Sequence, residues 1–263
     1  MEYIVKKIDV QKDYVNVIVI DSNSCSYSFK IHAVAFANYY LRVESIVNEV
    51  DFNNLLNESK YYFIKDQVIS KLKVKDYSKY EIKELIKDKL NDDELNRLIN
   101  DLERNNYIND YNYIKRIFNE SESKLKGKLY IESKLKGKEL DENIIKAFFE
   151  HYNEEELANK LSNREYKKLE NKHPKNTIIN KISYKLNYNG FSEYVINDVI
   201  SSLEHIKSSD NTLLIEKDYL KLVKKYQNKY KDKELERKVI ESLLLKGYNY
   251  KSVKEYIGGI PHD

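Results

Sequence analysis

Leu186-Asn187-Tyr188-Asn189-Gly190-Phe191-Ser192-Glu193-Tyr194-Val195-Ile196 carries a large apolar side chain at every fifth position, with a glycine just before the middle one. Leu243, Gly247, Tyr248 and Val253 repeat the arrangement. The same apolar spacing joins Leu135, Leu140 and Ile145, and before them Leu85, Leu90 and Leu95. The four copies begin 50, 51 and 57 residues apart. The residue before the middle apolar position is Lys89, Glu139, Gly190 or Gly247. Where it is glycine, it fits a left-handed cap that ends one helix and lets another start at once. Each copy thus reads as a helix, a tight turn and a second helix, with a further helix in front.

Start signals agree with this division. Ser78 with Glu81, Asn91 with Glu94 and Asn153 with Glu156 have capping-box spacing. Pro174 suits a first helical turn, and Asp141, Ser192, Asp210 and Asp232 suit caps. The expectation is four three-helix modules, at 51–109, 110–152, 153–208 and 209–263, stacked as an elongated array.

Upstream of residue 51 the period is two. Ile4 to Ile8 alternates, Tyr14 to Ile20 is a β-branched run, and Cys25 to Ile31 alternates again with Tyr27, Phe29 and Ile31 on one face. Short polar connections between the runs read as hairpin turns. Residues 1–50 are therefore expected to form a three-stranded antiparallel module and a following helix near His32. Ala33, Val34, Phe36, Ala37, Tyr40 and Leu41 would supply that helix's apolar face. Cys25 is expected to fill a gap in a strand. The fold class is mainly α, behind a small β module.

Composition narrows the function. The chain of 263 residues is 41% hydrophobic and 34% charged, with 2 Pro and 6 Gly, too few for an all-β protein full of tight turns. One cysteine excludes an internal disulfide and a Cys-based zinc framework. No apolar run approaches a membrane span and no signal-peptide block is present, so a soluble, cytoplasmic chain is expected, with no membrane partner. The five histidines lack ligand spacing, and no phosphate-binding glycine loop exists. Ser121-x-x-Lys124 and Ser133-x-x-Lys136 match an acyl-transfer string without its companion motifs. No catalytic residue, metal site or cofactor is expected.

Charge is local, because the net charge is only +3. Between Lys124 and Lys138 six lysines face Glu132 alone, with Lys115 and Arg116 just upstream. A second cluster runs from Lys221 through Lys224, Lys225 and Lys229 to Lys231, interleaved with Tyr226 and Tyr230. Such clusters suit phosphate or an acidic protein groove, or else form solvated helix faces in a lysine-biased chain. Only 6 of the 46 basic residues are arginine, a bias that discounts any single lysine.

Asn106-Tyr107-Ile108-Asn109-Asp110-x-x-Tyr113-Ile114 resembles the Gly-Tyr-Leu-Asn-Asp-x-x-Tyr/Phe-Ala segment of the RecX family of RecA regulators. Ser78-x-x-Glu81-Ile82-x-x-Leu85 is similar to that family's Ser-x-x-Glu-Leu-x-x-Lys-Leu helix. Lys126-Gly127-x(3)-Ile131-x(3)-Leu135-x-x-Lys138-Glu139-Leu140 matches its Lys-Gly-x(3)-Ile-x(3)-Leu-x-x-Lys-Gly-Ile pattern. The chain departs from the family where Tyr77 replaces Arg and where Asn106 and Glu139 replace Gly.

The resemblance implies a non-enzymatic monomer that lies along the groove of a RecA–single-stranded DNA filament. There it would depress RecA's ATPase, strand-exchange and coprotease activities. Arg116, Lys124, Lys126, Lys128, Lys134 and Lys136 are the expected partner- or DNA-binding residues. If this segment is one helix, Lys124 and Lys128 share a face, as do Lys134 and Lys138. If Gly127 ends a helix, the lysines stand at a corner. The runner-up is a general nucleic-acid-binding helical repeat protein that binds DNA directly.

The repeat makes Leu135, Leu186 and Leu243 equivalent core positions. Leu→Ala at each is expected to cost about 2–5 kcal/mol in denaturant melts. Three wild-type melting curves would show the alignment of copies to be wrong.

Overall fold

The computed structural model describes residues 1–205 and 212–259. Alternation in the first strands sorts side chains by face. In β2 (Tyr14–Asp21), Val15, Val17 and Val19 are buried while the residues between them are half-exposed. β1 (Glu2–Val10) and β3 (Ser26–His32) pair with it antiparallel. A fourth strand, β4 (Ile46–Asn48), pairs with the other side of β1, giving the order β3-β2-β1-β4. β4 left no trace in the hydrophobic pattern, because three residues are too few to display a period.

Cys25 corrects its expectation. It is exposed in the β2–β3 turn, where its N–H donates to the Asp21 carboxylate at 2.8 Å, and fills no gap. The helix after His32 is α1 (Ala33–Tyr39); Phe36 and Leu41 of the expected face pack on the sheet's core beside the buried Ala35, while Val34, Ala37 and Tyr40 are exposed. Most of the sheet's cover comes from α2 (Glu49–Leu72), whose Phe52 and Leu55 pack with Val5, Val15, Val17, Val19 and Ile31. Farther along the same helix Tyr61, Ile64 and Val68 enter a second core. There they meet Ile82 and Ile86 of α3 (Lys79–Ile86) and Leu98 and Leu102 of α4 (Asp92–Arg104). One long helix thereby anchors both cores of the first compact unit, Met1–Tyr113 with Lys138–Leu140.

The second unit takes Ile114–Gly137 and the chain from Asp141 onward. α5 (Asp110–Ser123) leads into it, followed by α6 (Lys128–Leu135), α7 (Glu142–Glu150) and α8 (Glu154–Leu169). Then come α9 (Lys175–Tyr188), α10 (Glu193–Glu204), α11 (Thr212–Tyr226), α12 (Asp232–Leu245) and α13 (Tyr250–Gly258). α7 buries no residue fully, and its Phe148 and Phe149 pack on Phe118 with ring centroids 5.1 and 4.9 Å apart.

The five-residue spacing has a backbone cause. After α9 the Phe191 N–H returns to the Leu186 carbonyl (3.2 Å) and the Gly190 N–H to that of Asn187 (2.8 Å), with Gly190 at φ +77°. After α12, Tyr248 and Gly247 do the same to Leu243 and Leu244, with Gly247 at φ +97°. In this Schellman turn the apolar residue after the left-handed position packs back on the helix it leaves. It also immediately precedes the next N-cap, Ser192 or Asn249, so it can staple to Ile196 or Val253 four residues past that cap. Leu135, Leu186 and Leu243 are buried, as are Phe191, Tyr248 and Val253. The first two copies differ: Leu90 is buried but Leu85 and Leu95 are only partly so, since Ile82 and Ile86 face the core, and Leu140 and Ile145 are likewise only partly buried. Glu139 at φ 50° and Asn106 at φ 56° hold the left-handed conformation without being glycine.

Two glycines let α6 meet the turn after α9. Gly127 donates to the Asn189 carbonyl and Leu129 to that of Gly190, both at 3.0 Å. A Cβ on Gly127 would stand 2.2 Å from the Gly190 oxygen, and one on Gly190 2.6 Å from the Tyr130 nitrogen. Beside this crossing lies Glu154, 4% exposed, at the start of α8. One carboxylate oxygen accepts the N–H groups of Lys128 (2.8 Å) and Ser192 (3.0 Å), and the other accepts the Ser192 hydroxyl (2.9 Å). Three helix N-termini thus converge on one anion, which their unpaired N–H groups and aligned dipoles favour. In the first unit Asp110 accepts the Lys79 N–H (2.9 Å) in the corresponding way.

The caps fall mostly as expected. Ser78 and Asn91 form complete capping boxes, and Asp141 accepts from Asn143 and Ile144. Asn153 accepts from Glu156, whose carboxylate returns to the side-chain amide. Ser192 stands at the cap of α10 but commits its hydroxyl to Glu154. Pro174 is the N-cap of α9, and Asp232 is the first residue of α12 behind Lys231 at the cap. Asp210 lies outside the described residues.

Opposite outcomes are expected at two left-handed turns. Gly190→Ala pushes a methyl into the α6 backbone, so a loss of about 2–5 kcal/mol is expected from overpacking plus left-handed strain. Glu139→Gly relieves a strain of about 1–2 kcal/mol, offset by about 0.5–1 kcal/mol of extra chain entropy, so it should stabilise slightly. Urea melts of the two variants check the signs.

Candidate partner-binding surface

The chain between Arg116 and Lys136 turns a corner. α5 stops at Ser123, Leu125 takes φ 51°, the Lys126 N–H returns to the Ser121 carbonyl (2.8 Å), and α6 opens at Lys128. Lys124 and Lys128 therefore stand on opposite sides of a break, with no shared helix face. Lys138 lies past the end of α6, where it pairs with Glu81 and sits 5.4 Å from the Tyr113 ring. The glycine-marked corner is the geometry present.

The six expected residues divide into groups. Arg116 and Lys124 both bind Glu120, at 2.7 and 3.2 Å, and Arg116 first and then Lys124 hold that carboxyl below its ordinary range. Lys126 and Lys134 converge on the Tyr130 ring, at 4.9 and 5.4 Å from its centroid. Lys128 uses its backbone on Glu154 and is half-buried, while Lys136 is exposed at the end of α6. The structure thus joins Lys126 and Lys134, ties Arg116 to Lys124, and leaves Lys128 and Lys136 out of the convergence.

Residues from another part of the chain complete the group. Lys126 also lies 5.8 Å from the Tyr188 ring and Lys185 6.0 Å from it. The Lys126 ammonium donates to the Asn189 side-chain oxygen at 2.6 Å. Burial pushes the Lys126 pKa down, and the fields of Lys185, Lys124 and Lys134 add to the effect. Four ammonium groups therefore share one field around two tyrosines. Tyr184 and Tyr188, one helical turn apart on α9, are 74% and 70% exposed. Cations over ring faces, with exposed tyrosines among them, can hold phosphate or carboxylate groups and stack on planar ones. Lys185 and Tyr188 were missed because nothing in their local sequence links them to a cluster some fifty residues earlier.

The second basic cluster surrounds the end of α11. Lys225 lies 5.0 Å from the Tyr226 ring, and Tyr226 and Tyr230 meet edge to face at 6.1 Å. Among the described residues no three His, Cys, Asp or Glu side chains gather as a metal site requires, and no helix is long and apolar enough to cross a membrane.

No protein-family model matches the chain. A protein of Streptococcus agalactiae serotype Ia named "Regulatory protein RecX" is 32% identical over 160 residues, 60% of this chain. The chain spans about 62% of that relative's length. A protein of the same name from Staphylococcus carnosus is 25% identical over 95% of both chains. The solved "Crystal structure of regulatory protein RecX" superposes with a TM-score of 0.54 over 74% of this chain and 99% of its own, at 18% identity, and so shares the fold. The chain is thus similar to proteins named RecX, along nearly the whole staphylococcal protein and over 160 residues of the streptococcal one, and shares the helical fold of a solved RecX structure.

Proposed function

We propose that the chain is a non-enzymatic regulator of RecA, acting as a cytoplasmic monomer on RecA–single-stranded DNA filaments. It lies along the filament groove, bridges successive protomers and depresses ATPase, strand-exchange and coprotease activities. The four modules 51–109, 110–152, 153–208 and 209–263 are its units of contact. Similarity to proteins named "Regulatory protein RecX" supports the regulatory role. The observation that carries the surface assignment is the convergence of Lys126, Lys134 and Lys185 on Tyr130 and Tyr188. A dense positive field at a corner suits an acidic groove, where complementary charge raises association rate and specificity.

A second reading, direct binding to single-stranded nucleic acid, is favoured by the exposure of Tyr184 and Tyr188 beside the lysines. The two differ in what RecA adds. A direct binder holds a naked oligonucleotide with a steep salt slope. A filament regulator needs RecA on that DNA for tight binding, which co-sedimentation with and without RecA measures.

The geometry selects the variants. Lys126→Ala deprives the buried Asn189 oxygen of its donor, at a cost of about 1–3 kcal/mol in the melt. Lys134→Glu with Lys185→Glu touches the rim alone, so stability should stay within about 0.5 kcal/mol of wild type. The same pair should weaken inhibition of RecA ATPase roughly tenfold or more. Full inhibition by that folded variant would make the corner a solvated face.

A further inference from the structure

β3 is an edge strand. At its end the His32 N–H turns away from β2 and donates to the Ser59 hydroxyl of α2 (2.8 Å). The β2–β3 register runs unbroken from Tyr14↔His32 to Ile20↔Ser26. In an antiparallel ladder successive residues alternate between facing the partner strand and facing away. Lys30 and Ser28, two and four positions before His32, therefore also aim their N–H and C=O groups outward. Edge strands of this kind are templates for another strand unless shortened or covered. The opposite edge is shortened to the three residues of β4. β3 keeps seven.

An open groove of about 570 Å³ lies beside this edge, between β3, α2 and the turn joining α3 to α4. Leu56, Phe63 and Ile64 give it an apolar wall. Lys30, Lys60 and Lys89 stand around it against one carboxylate, Asp88. Lys30 is steadied over the rings of Tyr14 (3.9 Å) and Phe63 (5.7 Å). Outward backbone groups, an apolar wall and a positive rim together define one kind of occupant. An extended peptide pairs its amides with the edge and sends alternate side chains to either side.

We propose that this groove binds an extended acidic segment of a partner protein, added to β3 as a fifth strand. Its backbone pairs with Ser28 and Lys30, its apolar side chains meet Leu56 and Phe63, and its carboxylates reach Lys60 and Lys89. The site lies wholly within the first unit and does not depend on the lysine–tyrosine corner or on the RecA reading.

The test uses the full chain and a fluorescein-labelled synthetic peptide alternating Asp with Val, read by anisotropy. Saturable binding is expected. N-methylation of alternate peptide amides, Lys in place of Asp, or Lys60→Glu with Lys89→Glu in the protein should each weaken it roughly tenfold. Both substituted lysines are exposed, and an unchanged melt confirms that the variant folds. No binding, equal binding of the N-methylated peptide, or equal binding by the variant would overturn the proposal. Displacement of the peptide by a single-stranded oligonucleotide would likewise overturn it, in favour of a phosphate site.

Discussion

The second unit depends on a place where two backbones touch. Gly127 and Gly190 face each other so closely that neither tolerates a Cβ, and the carbonyls of Asn189 and Gly190 take the first N–H groups of α6. Side chains alone could not bring α6 and the α9–α10 turn so near. Glu154 then supplies the charge that this approach requires. A helix start withdrawn from water leaves unpaired donors, and here a single buried carboxylate accepts from two helix starts while opening a third helix itself. Removing that anion would strand three donors at once, which is why a charge is tolerated in a place where 4% of it is exposed.

Similar joints recur with different chemistry. The first residue of α3 donates to Asp110 as that of α6 donates to Glu154. Thr177, third in α9, donates its hydroxyl to Lys246 beside Gly247, much as Tyr130, third in α6, abuts Gly190. The turns are similarly tolerant in sequence. Glu139 and Asn106, where the family pattern has glycine, keep the left-handed backbone and accept the strain. Flanking apolar residues held by the adjoining helices can impose that conformation, so loss of glycine does not erase the turn.

The lysine–tyrosine corner follows from the same joint. Lys126 precedes Gly127, and Asn189 precedes Gly190, so the backbone crossing that needs two glycines also sets Lys126 against Asn189 and near Tyr188. Burial and three neighbouring ammonium groups all disfavour the protonated Lys126, and an arriving anion would relieve that strain. The surface and the fold are thus built from the same few residues.

Local sequence determined much of this protein. Period-two and period-3.6 hydrophobicity set β1 to β3 and the helices, because burial of one face is a property of neighbours along the chain. The every-fifth apolar spacing carried the turn as well, since its hydrogen bonds and staple span only adjacent residues. Residue identity likewise marked the Lys126–Lys134 stretch. What only tertiary structure decided involves partners distant in sequence. β4 exists because Glu2, Tyr3 and Ile4 offer an edge to Ile46–Asn48. Cys25 is exposed because the Asp21 turn claims its backbone. Lys185 and Tyr188 join Lys126 and Lys134 because two glycines, 63 residues apart, let their backbones meet. Periodicity encodes which face is buried, but not which distant face it is buried against.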